Sequence, residues 1–552
     1  MSIDVYGRLY HDIAKDAGLA GTAAGNKVMS KTVGQVALVS CLGALALGAI
    51  SEKAQASAFG LREESAEGLG NAFAGQTAKA YNSSTVYYNP AGMALLDSNE
   101  IATTLTWISP DVRFSGSNSN PLYASGVGGP TVSGIDGPQV VKPAAIGSFF
   151  TVYKINPDWH VGFSFAVPYG QRSEYKENWV GRYQAQASDL TDYEASLVVS
   201  YKVTDNFSIG GGPRVDYLDG RLSQALNVSA IGLNVAQGLG AGATQAGAGA
   251  LAAATGAQQA AAAAQAAAAA GNTAQAQALS AQATSLASQA AAAKALATSL
   301  ATQAGGMQTL ALGWAQAGSD GLGKLTGDNI GVGYTLSALY QFDSATRLGL
   351  TYKSKIFHDL SGNSQIQLPG DAAGAPAAFT SLFVDQPAKL KITLPDSVAL
   401  GLYHEINAEW AVMTDVQWTD WSVLKSLNVI GATTGTLSST PENWTNSWFV
   451  AVGANWKPIE RWTLHFGVAY DEAPMNDSNR LARIPDSNRT WVAFGASFAV
   501  TPVSDVNFGY AHLFTPGGGI TDASGAANGG GVLTGSYQES VDIVSASYAL
   551  RF

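Results

Sequence analysis

The chain has 552 residues, a formal net charge of −11, 62 glycines and a single cysteine. Charged residues make up 13% of the chain, against roughly 25% in an average soluble domain. The acidic balance argues against nucleic acid as a partner, because phosphate recognition needs a basic face. Cys41 lies in a segment that we expect to be removed, and the six histidines show no metal-ligand spacing. We therefore expect no disulfide, metal or cofactor in the mature chain.

An export signal is predicted at the N-terminus. Residues 33–50 are apolar, follow Lys27 and Lys31, and precede Ala54-Gln55-Ala56. This order of basic, apolar and small-residue segments is typical of a secretory signal peptide, so the mature chain is expected to begin at Ser57.

The length of this leader leaves alternatives open. Residues 1–56 make a long signal peptide, and a translation start at Met29 would give one of ordinary length. Leu38-Val39-Ser40-Cys41 loosely resembles a lipoprotein signal, although its cysteine lies within the apolar run and not at its end. A retained membrane anchor is a third interpretation, and the small-residue cleavage site argues against it.

The mature chain is predicted to span a membrane with strands. After residue 56 there is no run of about 18 apolar residues, which a spanning helix would need. In Trp462–Asp471 every second residue is apolar and the intervening residues are mostly polar or small, and Val332–Phe342 and 505–510 alternate similarly. Segments of about ten alternating residues are typical of outer-membrane strands.

A soluble β-sandwich would also alternate, but three further features favour a barrel. The more polar face is rich in Gly, Ala and Ser. Residues 544–552 alternate up to the terminal Phe552, which resembles the sorting signal read by the barrel-assembly machinery. Tryptophans crowd the strand ends, as an interfacial girdle requires: Trp410, Trp418, Trp448, Trp456, Trp462 and Trp491.

Fourteen strands are predicted, an even number that places both ends of the barrel in the periplasm. They are 100–108, 141–154, 159–168, 192–203, 206–217, 329–342, 345–358, 389–404, 408–420, 446–457, 460–471, 489–500, 503–512 and 540–552. The expected fold is an all-β, 14-stranded antiparallel barrel over residues 99–552.

Residues 57–98 break the strand pattern. The segment is rich in Gly and Ala and contains Asn89-Pro90-Ala91. At membrane depth, irregular backbone is tolerated only where protein buries it or where it lines a cavity. We therefore expect a plug, or hatch, inside the barrel; a periplasmic tail is the alternative.

Taken in order, the motifs of this chain resemble those of the FadL family of outer-membrane long-chain fatty-acid and hydrophobic-compound transporters. The similarity covers nearly all of 57–552 outside an alanine-rich insertion. The matching stretches are Ser57-Ala58-Phe59, Gly68-Leu69-Gly70, Asn89-Pro90-Ala91, Pro168-Tyr169-Gly170, Trp179-Val180-Gly181-Arg182-Tyr183, Leu350-Thr351-Tyr352-Lys353-Ser354, Leu394-Pro395, Tyr470-Asp471-Glu472-Ala473-Pro474, Asn479-Arg480 and Ile484-Pro485-Asp486.

The resemblance implies a transport route through the outer membrane of a Gram-negative cell. It implies that the third strand kinks inward at Pro168, Tyr169 and Gly170, opening a side gap that the hatch near Asn89-Pro90-Ala91 faces, and that Phe59 touches bound ligand. From the residues alone, Pro-Tyr-Gly ends a strand. Hydrophobic cargo would be captured passively and would diffuse sideways into the membrane.

A carboxylate cargo would need a basic partner in the lumen. Arg221, Lys353, Lys355 and Arg480 are candidates, and a solvated network that includes Asp471 is the alternative role for them. The basic positions of the FadL family do not recur here, because Gln224 and a polar stretch near Thr440 stand in their place. An uncharged cargo, such as an aromatic hydrocarbon or an alkane, therefore stays open.

Residues 236–305 form the insertion, which contains one charge, Lys294. Alanine is the strongest helix former, and Gly271-Asn272 interrupts two long runs, so a helical hairpin of 244–270 and 273–304 is predicted in an extracellular loop. The resemblance implies that this loop extends an apolar groove where ligand first lands. A polar spacer or a disordered segment is the alternative.

Other protein classes fit less well. An outer-membrane lipid hydrolase would need a catalytic group, but His465 and Asp471 lie about 20 Å apart at ~3.3 Å per residue, and no G-x-S-x-G motif is present. A general porin would be open, and a scaffold or adhesin role would rest on the hairpin. The expected protein is a monomer in contact with membrane lipid and lipopolysaccharide, and not an enzyme.

Overall fold

The computed structural model describes residues 58–552; the predicted export signal, the alternative start at Met29 and Ser57 lie outside the described residues. The chain forms a closed barrel of fourteen antiparallel strands, as the alternation predicts. The first and last strands close it, pairing from Glu100↔Arg551 to Asn118↔Leu533.

Six of the strands consist of two segments. The strands are β1 Glu100–Asn118, β2 Ala144–Lys154, β3 Trp159–Ala166 and Gly170–Glu174, β4 Ala187–Thr204, β5 Phe207–Leu226, β6 Gly321–Gln341, β7 Thr346–Lys353 and Ile356–Gln367, β8 Gln386–Leu394 and Ser397–Glu405, β9 Trp410–Thr419 and Ser426–Gly431, β10 Gly435–Pro441 and Ser447–Ile459, β11 Trp462–Asp471, β12 Arg489–Thr501, β13 Ser504–Phe514 and Gly518–Asp522, and β14 Leu533–Arg551.

The alternation along the strands separates lipid from lumen. On β6, Val332, Tyr334 and Leu336 point outward with 66%, 47% and 55% of their surface exposed. Such an apolar band faces the acyl chains of the bilayer. The expected aromatic girdle has one exception: Trp491 is 2% exposed and faces the lumen, where its ring lies 6.1 Å from that of Phe73.

Several strands run further than the periodicity predicts. β5 continues from the predicted end at residue 217 to Leu226, and β6 begins at Gly321 instead of residue 329. The additional rungs pair in register, including Arg221↔Thr326. Their side chains include charged and polar groups on the outward face, so they carry no apolar alternation by which the sequence could reveal them.

Residues 58–98 lie inside the barrel and form short helical turns. These are α1 Ala66–Gly70, α2 Thr85–Tyr88 and a 3₁₀ helix at Pro90–Leu95. The hatch bonds to opposite parts of the wall: the Asn71 side chain donates to Asn455 Oδ1 at 2.9 Å, and the Ala91 amide donates to Ser337 Oγ at 2.9 Å.

Glycines in the wall allow this close fit. A Cβ added at Gly210, Gly349, Gly467 or Gly509 would lie within 2.5 Å of a hatch backbone atom; at Gly467 the Asn71 carbonyl carbon would be 2.0 Å away. The glycine-rich lumen face is therefore a seat for the hatch, because larger residues there would displace it.

The alanine-rich insertion is helical, as its composition predicts. It forms α3 Val228–Ala269 and α4 Thr273–Ala317, each about 60 Å long at ~1.5 Å per residue. Gly271 turns the chain with a φ of 74°, and the Asn272 side chain caps α4. Both helices extend beyond 236–305 at their barrel ends because apolar side chains there, Trp314 among them, pack onto neighbouring loops.

The remaining short elements lie in loops. They are α5 Ala377–Thr380 and the 3₁₀ turns Tyr123–Ser125, Gly370–Gly374, Trp421–Val423 and Ser524–Asn528. Within residues 58–552, no helix has both the length and the apolar character needed to cross a bilayer.

The glycine seat can be tested by Gly467→Ala. The new methyl group has to displace the Asn71 backbone, and overpacking of this kind costs about 1–3 kcal/mol. We expect faster hydrogen exchange of hatch amides 66–76 and a higher steady ion current in planar bilayers. Gly323→Ala is the matched control, because its nearest neighbour atom would be 3.8 Å from the added carbon. Equal behaviour of the two variants would contradict the seat.

Candidate functional site

The start of the hatch adds a short strand to the broken β3. Gly60 pairs with Tyr169 in an antiparallel bridge. The Leu61 amide donates to the Pro168 carbonyl at 2.8 Å, and the Gly170 amide donates to the Phe59 carbonyl at 2.9 Å. Proline has no amide hydrogen, so β3 breaks at Pro168, and hatch residues satisfy the backbone groups freed by the break.

This break leaves an opening in the barrel wall, here called the lateral cleft. β2 and β3 pair only from Phe149↔Phe165 to Lys154↔His160, so 144–148 lack a partner on the β3 side. Above the cleft the Lys142 amide donates to the Arg172 carbonyl at 2.9 Å and restores contact. The cleft is lined by outward-facing and by lumen-facing residues, so it joins the two sides of the wall.

The hatch closes the lateral cleft from inside through Glu64. The Val167 amide of the broken strand donates to Glu64 Oε1 at 3.0 Å, and Ser148 Oγ donates to the Glu64 carbonyl at 2.7 Å. Burial raises the pKa of the Glu64 carboxyl to about 8. The hatch thus ties β2 and β3 together at the level where they do not pair with each other.

Above the hatch lies an apolar chamber of about 900 Å³, counting its mouth. Phe59 is 3% exposed and forms its floor, with ring centroids 5.0 Å from Trp421, 5.9 Å from Trp444 and 5.8 Å from Tyr169. The walls are mainly aliphatic and are formed by Leu190, Leu222, Leu325, Leu360, Leu390, Ile392, Leu424, Leu427 and Ile484.

One cation in this chamber was not singled out from the sequence. Arg483 lines the chamber, donates to Gln224 Oε1 and lies 3.4 Å from Ser188 Oγ. Burial lowers the pKa of its guanidinium to about 10, so it stays charged at neutral pH. Among the described residues, no carboxylate oxygen lies within salt-bridge distance of it. The available signal was its place beside Ile484-Pro485-Asp486, but loop residues follow no strand alternation.

Glu442 also lines the apolar chamber. Burial raises the pKa of its carboxyl to about 8, Asp522 adds to the rise, and the cationic Arg483 opposes it. At neutral pH the Glu442 carboxyl is therefore mostly uncharged and does not neutralise the guanidinium of Arg483. The exposed Lys389 is a second cation in the lining.

Below the floor lies a second, more polar chamber lined by Arg62, Arg214, Lys353 and Asp415. Residues 58–63 lie where three spaces meet, because Phe59 lines the apolar chamber, Gly60 to Arg62 line the polar chamber, and the whole segment lines the lateral cleft. This segment is therefore the partition between all three.

Asn89-Pro90-Ala91 lies away from this partition. The Asn89 side chain donates to the Thr77 carbonyl at 2.6 Å, and the Ala91 carbonyl accepts from Ser208 Oγ at 2.8 Å. The signature holds the lower hatch against β4, β5 and β6. Among the described residues of the hatch, Phe59 to Leu61 and Glu64 contact the strand break instead.

Two of the predicted lumen cations lie on the outside. Arg221 points outward and its Nε lies 3.4 Å from Asp219, and Lys355 is exposed. On β5 the even-numbered residues from Arg214 to Leu218 face the lumen, so Arg221 falls on the opposite face. For Lys355, the interruption of β7 between Lys353 and Ile356 changes the side-chain direction.

Of the other predicted charges, Asp471 and Arg480 are buried and are linked to each other through Arg489 and Asp486. Lys353 is half-buried and has no salt bridge among the described residues. Lys353 Nζ lies 3.2 Å from the ring centre of Tyr87. Asp471 pairs with Arg489 at 3.3 Å. Arg480, in the loop after β11, donates to the Asp486 carbonyl at 2.9 Å.

A lipid-facing barrel whose own N-terminal segment fills its bore belongs to the plugged barrels of the Gram-negative outer membrane. The family described as "Outer membrane protein transport protein (OMPP1/FadL/TodX)" matches residues 47–552, and the chain belongs to that family. The resemblance seen in the motifs is thereby confirmed. The protein is an outer-membrane transporter whose chamber suits hydrophobic molecules.

The names of similar proteins refer to different transported molecules. It is 24% identical over 473 residues to the long-chain fatty acid transport protein of Escherichia coli K12, covering 85% of this chain and 90% of that one. A Pseudomonas aeruginosa FadL homologue shares the fold with a TM-score of 0.68 at 23% identity, over 90% of this chain and 100% of the other. The Pseudomonas putida toluene transporter TodX gives 0.55 at 18%, over 90% and 100%.

Proposed function

We propose that this protein takes up long-chain fatty acids passively across the outer membrane. The supporting observation is the apolar chamber that has Arg483 in its lining, a half-buried cation without a salt-bridge partner among the described residues. An aliphatic tail would lie between the aliphatic walls and Phe59, and the carboxylate would bind the guanidinium. Aromatic hydrocarbons or alkanes are the alternative cargo, since the walls alone would accept them.

Capture is driven by desolvation of the tail. Each buried methylene contributes about 0.8 kcal/mol, so a long chain binds well without any energy input. Lipopolysaccharide resists hydrophobic solutes, so the cargo needs a first binding place outside the barrel. We assign it to the base of the helical hairpin, where half-buried apolar side chains such as Leu310 and Phe383 border the buried cluster around Trp314 and Phe379.

Release requires the partition to move. If residues 58–63 leave the Gly60–Tyr169 bridge, the apolar chamber opens onto the lateral cleft. An apolar tail then leaves sideways into the bilayer and avoids the polar chamber below, where it would be exposed to charged groups. The proposal assigns this gating to the start of the hatch, with Asn89-Pro90-Ala91 as the anchor of its lower part.

We infer that the protein acts as a monomer. Transport needs no cofactor and no metal ion, and it includes no catalytic step. His465, considered above for an enzyme, bonds to Asn455 and Ser497 at 2.7 Å each. Assembly into the membrane would use the C-terminal strand that ends in Phe552.

Growth of a deletion strain on long-chain fatty acids, compared with growth on aromatic compounds, tests the cargo class.

The cation is tested by Arg483→Gln. Loss of a charge-assisted hydrogen bond costs about 1.5–3 kcal/mol, so we expect about 10- to 100-fold weaker binding of a fluorescent long-chain carboxylate. Binding of the matching long-chain alcohol should change little. Arg221→Gln, on the outer face, is the control and should bind both probes normally. An unchanged affinity for the carboxylate in Arg483→Gln would favour an uncharged cargo.

Titration of Glu442 should make the binding of a carboxylate cargo depend on pH. Its raised pKa keeps the carboxyl neutral below about pH 8; above that pH the new negative charge competes with the cargo for Arg483. Since the cargo is already ionised, carboxylate affinity should fall several-fold between pH 7 and 9 in the parent protein. In Glu442→Gln the affinity should stay flat, as equilibrium titrations would show. A parent profile without this fall would contradict the pairing.

Movement of the partition is tested by a disulfide between Gly60→Cys and Tyr169→Cys. The two amides flanking the bridge make its hydrogen bonds, so Gly60 and Tyr169 form a non-hydrogen-bonded pair, whose Cα atoms lie about 4.5 Å apart, within disulfide range. The sequence after Ser57 contains no other cysteine. The oxidised double variant should lose uptake, and reduction should restore it.

Each single-cysteine variant is the control for the lost side chain and should transport under both conditions. Normal uptake by the fully oxidised double variant would overturn the gating role of residues 58–63.

A further inference from the structure

Three buried side chains meet on the lumen side of the wall, separate from both chambers. They are Asp192 of β4, Asp216 of β5 and His358 of β7. One ligand-type atom from each residue lies within 4.8 Å of the other two, and the residues are 0%, 0% and 2% exposed.

The strand register brings them together. Asp216 pairs with Glu194 on the adjacent strand, which places Asp192 two residues away on the same face. β6 stands between β5 and β7, and its residue opposite Asp216 is Gly331. A Cβ at Gly331 would lie 2.7 Å from His358 Cε1 and 2.9 Å from Nε2. The missing side chain therefore lets the imidazole reach across β6 towards the carboxylates.

The polar atoms of this cluster lack partners. Among the described residues, no hydrogen bond of good geometry reaches the carboxylate oxygens of Asp192 and Asp216 or the ring nitrogens of His358. The two carboxylates contact each other, and the imidazole approaches the Asn329 backbone. Buried polar groups are otherwise nearly always bonded, and each one left unpaired costs about 1–3 kcal/mol. In contrast, both ring nitrogens of the lumen residue His465 are bonded at 2.7 Å.

The surrounding cations compensate the two aspartates only in part. Arg214 attracts both carboxylates but pairs with Glu194 at 3.1 Å. Within the described part of the chain, Asp192 and Asp216 have no salt bridge. The cluster thus combines two carboxylates with an imidazole in a place where water is excluded.

We propose that Asp192, Asp216 and His358 bind one divalent transition-metal ion. Two carboxylate oxygens and an imidazole nitrogen form a donor set that suits Zn²⁺ and its neighbours in the first row, whereas Mg²⁺ and Ca²⁺ favour oxygen ligands alone. A dication would satisfy the unpaired atoms and balance the two carboxylates, which explains how they can be buried together.

The site adjoins the break in β3. The Asp192 amide donates to the Tyr169 carbonyl at 3.0 Å, so one ligand also holds the kinked segment. A bound ion would tie β4, β5 and β7 together at the height where β3 loses its partner, and would stiffen the wall against which the hatch moves. The ion is structural, so the inference does not depend on the cargo.

The test uses the mature protein, without a histidine tag, in detergent. After chelator treatment, Zn²⁺ is titrated by calorimetry and the bound metal is counted by mass spectrometry. We expect one Zn²⁺ per chain and a higher temperature of unfolding with Zn²⁺ than without. Ca²⁺ should neither compete nor stabilise.

Asp216→Asn and His358→Gln should each weaken Zn²⁺ binding by roughly tenfold or more, and the matched control His465→Gln should bind as the parent does. Visible absorption of the Co²⁺-loaded parent, lost in His358→Gln, gives a second measurement. Heat-modifiable migration on gels confirms that each variant is folded. Arg483→Gln should bind Zn²⁺ normally, which keeps this test separate from that of the cargo.

Absence of Zn²⁺ binding by the parent would overturn the proposal and leave the two aspartates sharing a proton. Binding that survives in a folded His358→Gln, or equal binding of Ca²⁺, would overturn it as well.

Discussion

Backbone hydrogen bonding at membrane depth constrains every part of this structure. A closed barrel satisfies all of its amides and carbonyls within the wall, so a strand that breaks must find partners elsewhere. The break at Pro168 finds them in the hatch, through Leu61, Phe59 and the carboxylate of Glu64. The plug is consequently part of the wall's hydrogen-bond network as well as an obstruction in the bore, and its movement necessarily exposes the gap beside β2.

The pairing of Gly60 with Tyr169 sets the boundary between the apolar and the polar chamber. Phe59 projects upward among aromatic rings, while Arg62 faces a polar space below. A hydrophobic molecule entering from outside therefore contacts the aliphatic side chains of the apolar chamber, which Phe59 closes below. Residues 58–63 alone separate this chamber from the lateral cleft. The charges to which we assign recognition, Arg483 and Glu442, lie in loops and not in the strands.

Much of the fold could be predicted from the sequence because the barrel repeats a two-residue pattern. All fourteen strands follow from alternation such as that of Val332, Tyr334 and Leu336, and the helical hairpin follows from composition. The departures have different causes. Arg221 lies beyond residue 217, where the predicted β5 ended, so its direction was not given by the pattern. Trp491 faces inward because the neighbouring Val492 and Phe494 face outward, and the crossing of β6 by His358 depends on the register between strands. Arg483 was missed for a related reason, since a loop places its side chains by contacts that no local pattern records.

The seam of the barrel adds a consequence for assembly. β1 and β14 meet along nineteen rungs, and the hatch directly precedes β1 in the chain. Its backbone rests on glycines distributed around the circumference, so the complete cradle exists only once the cylinder has closed. Residues 58–98 must therefore be enclosed as the sheet curves into a barrel, or enter through an open end afterwards. In either order, the hatch reaches its final position only when β1 pairs with β14.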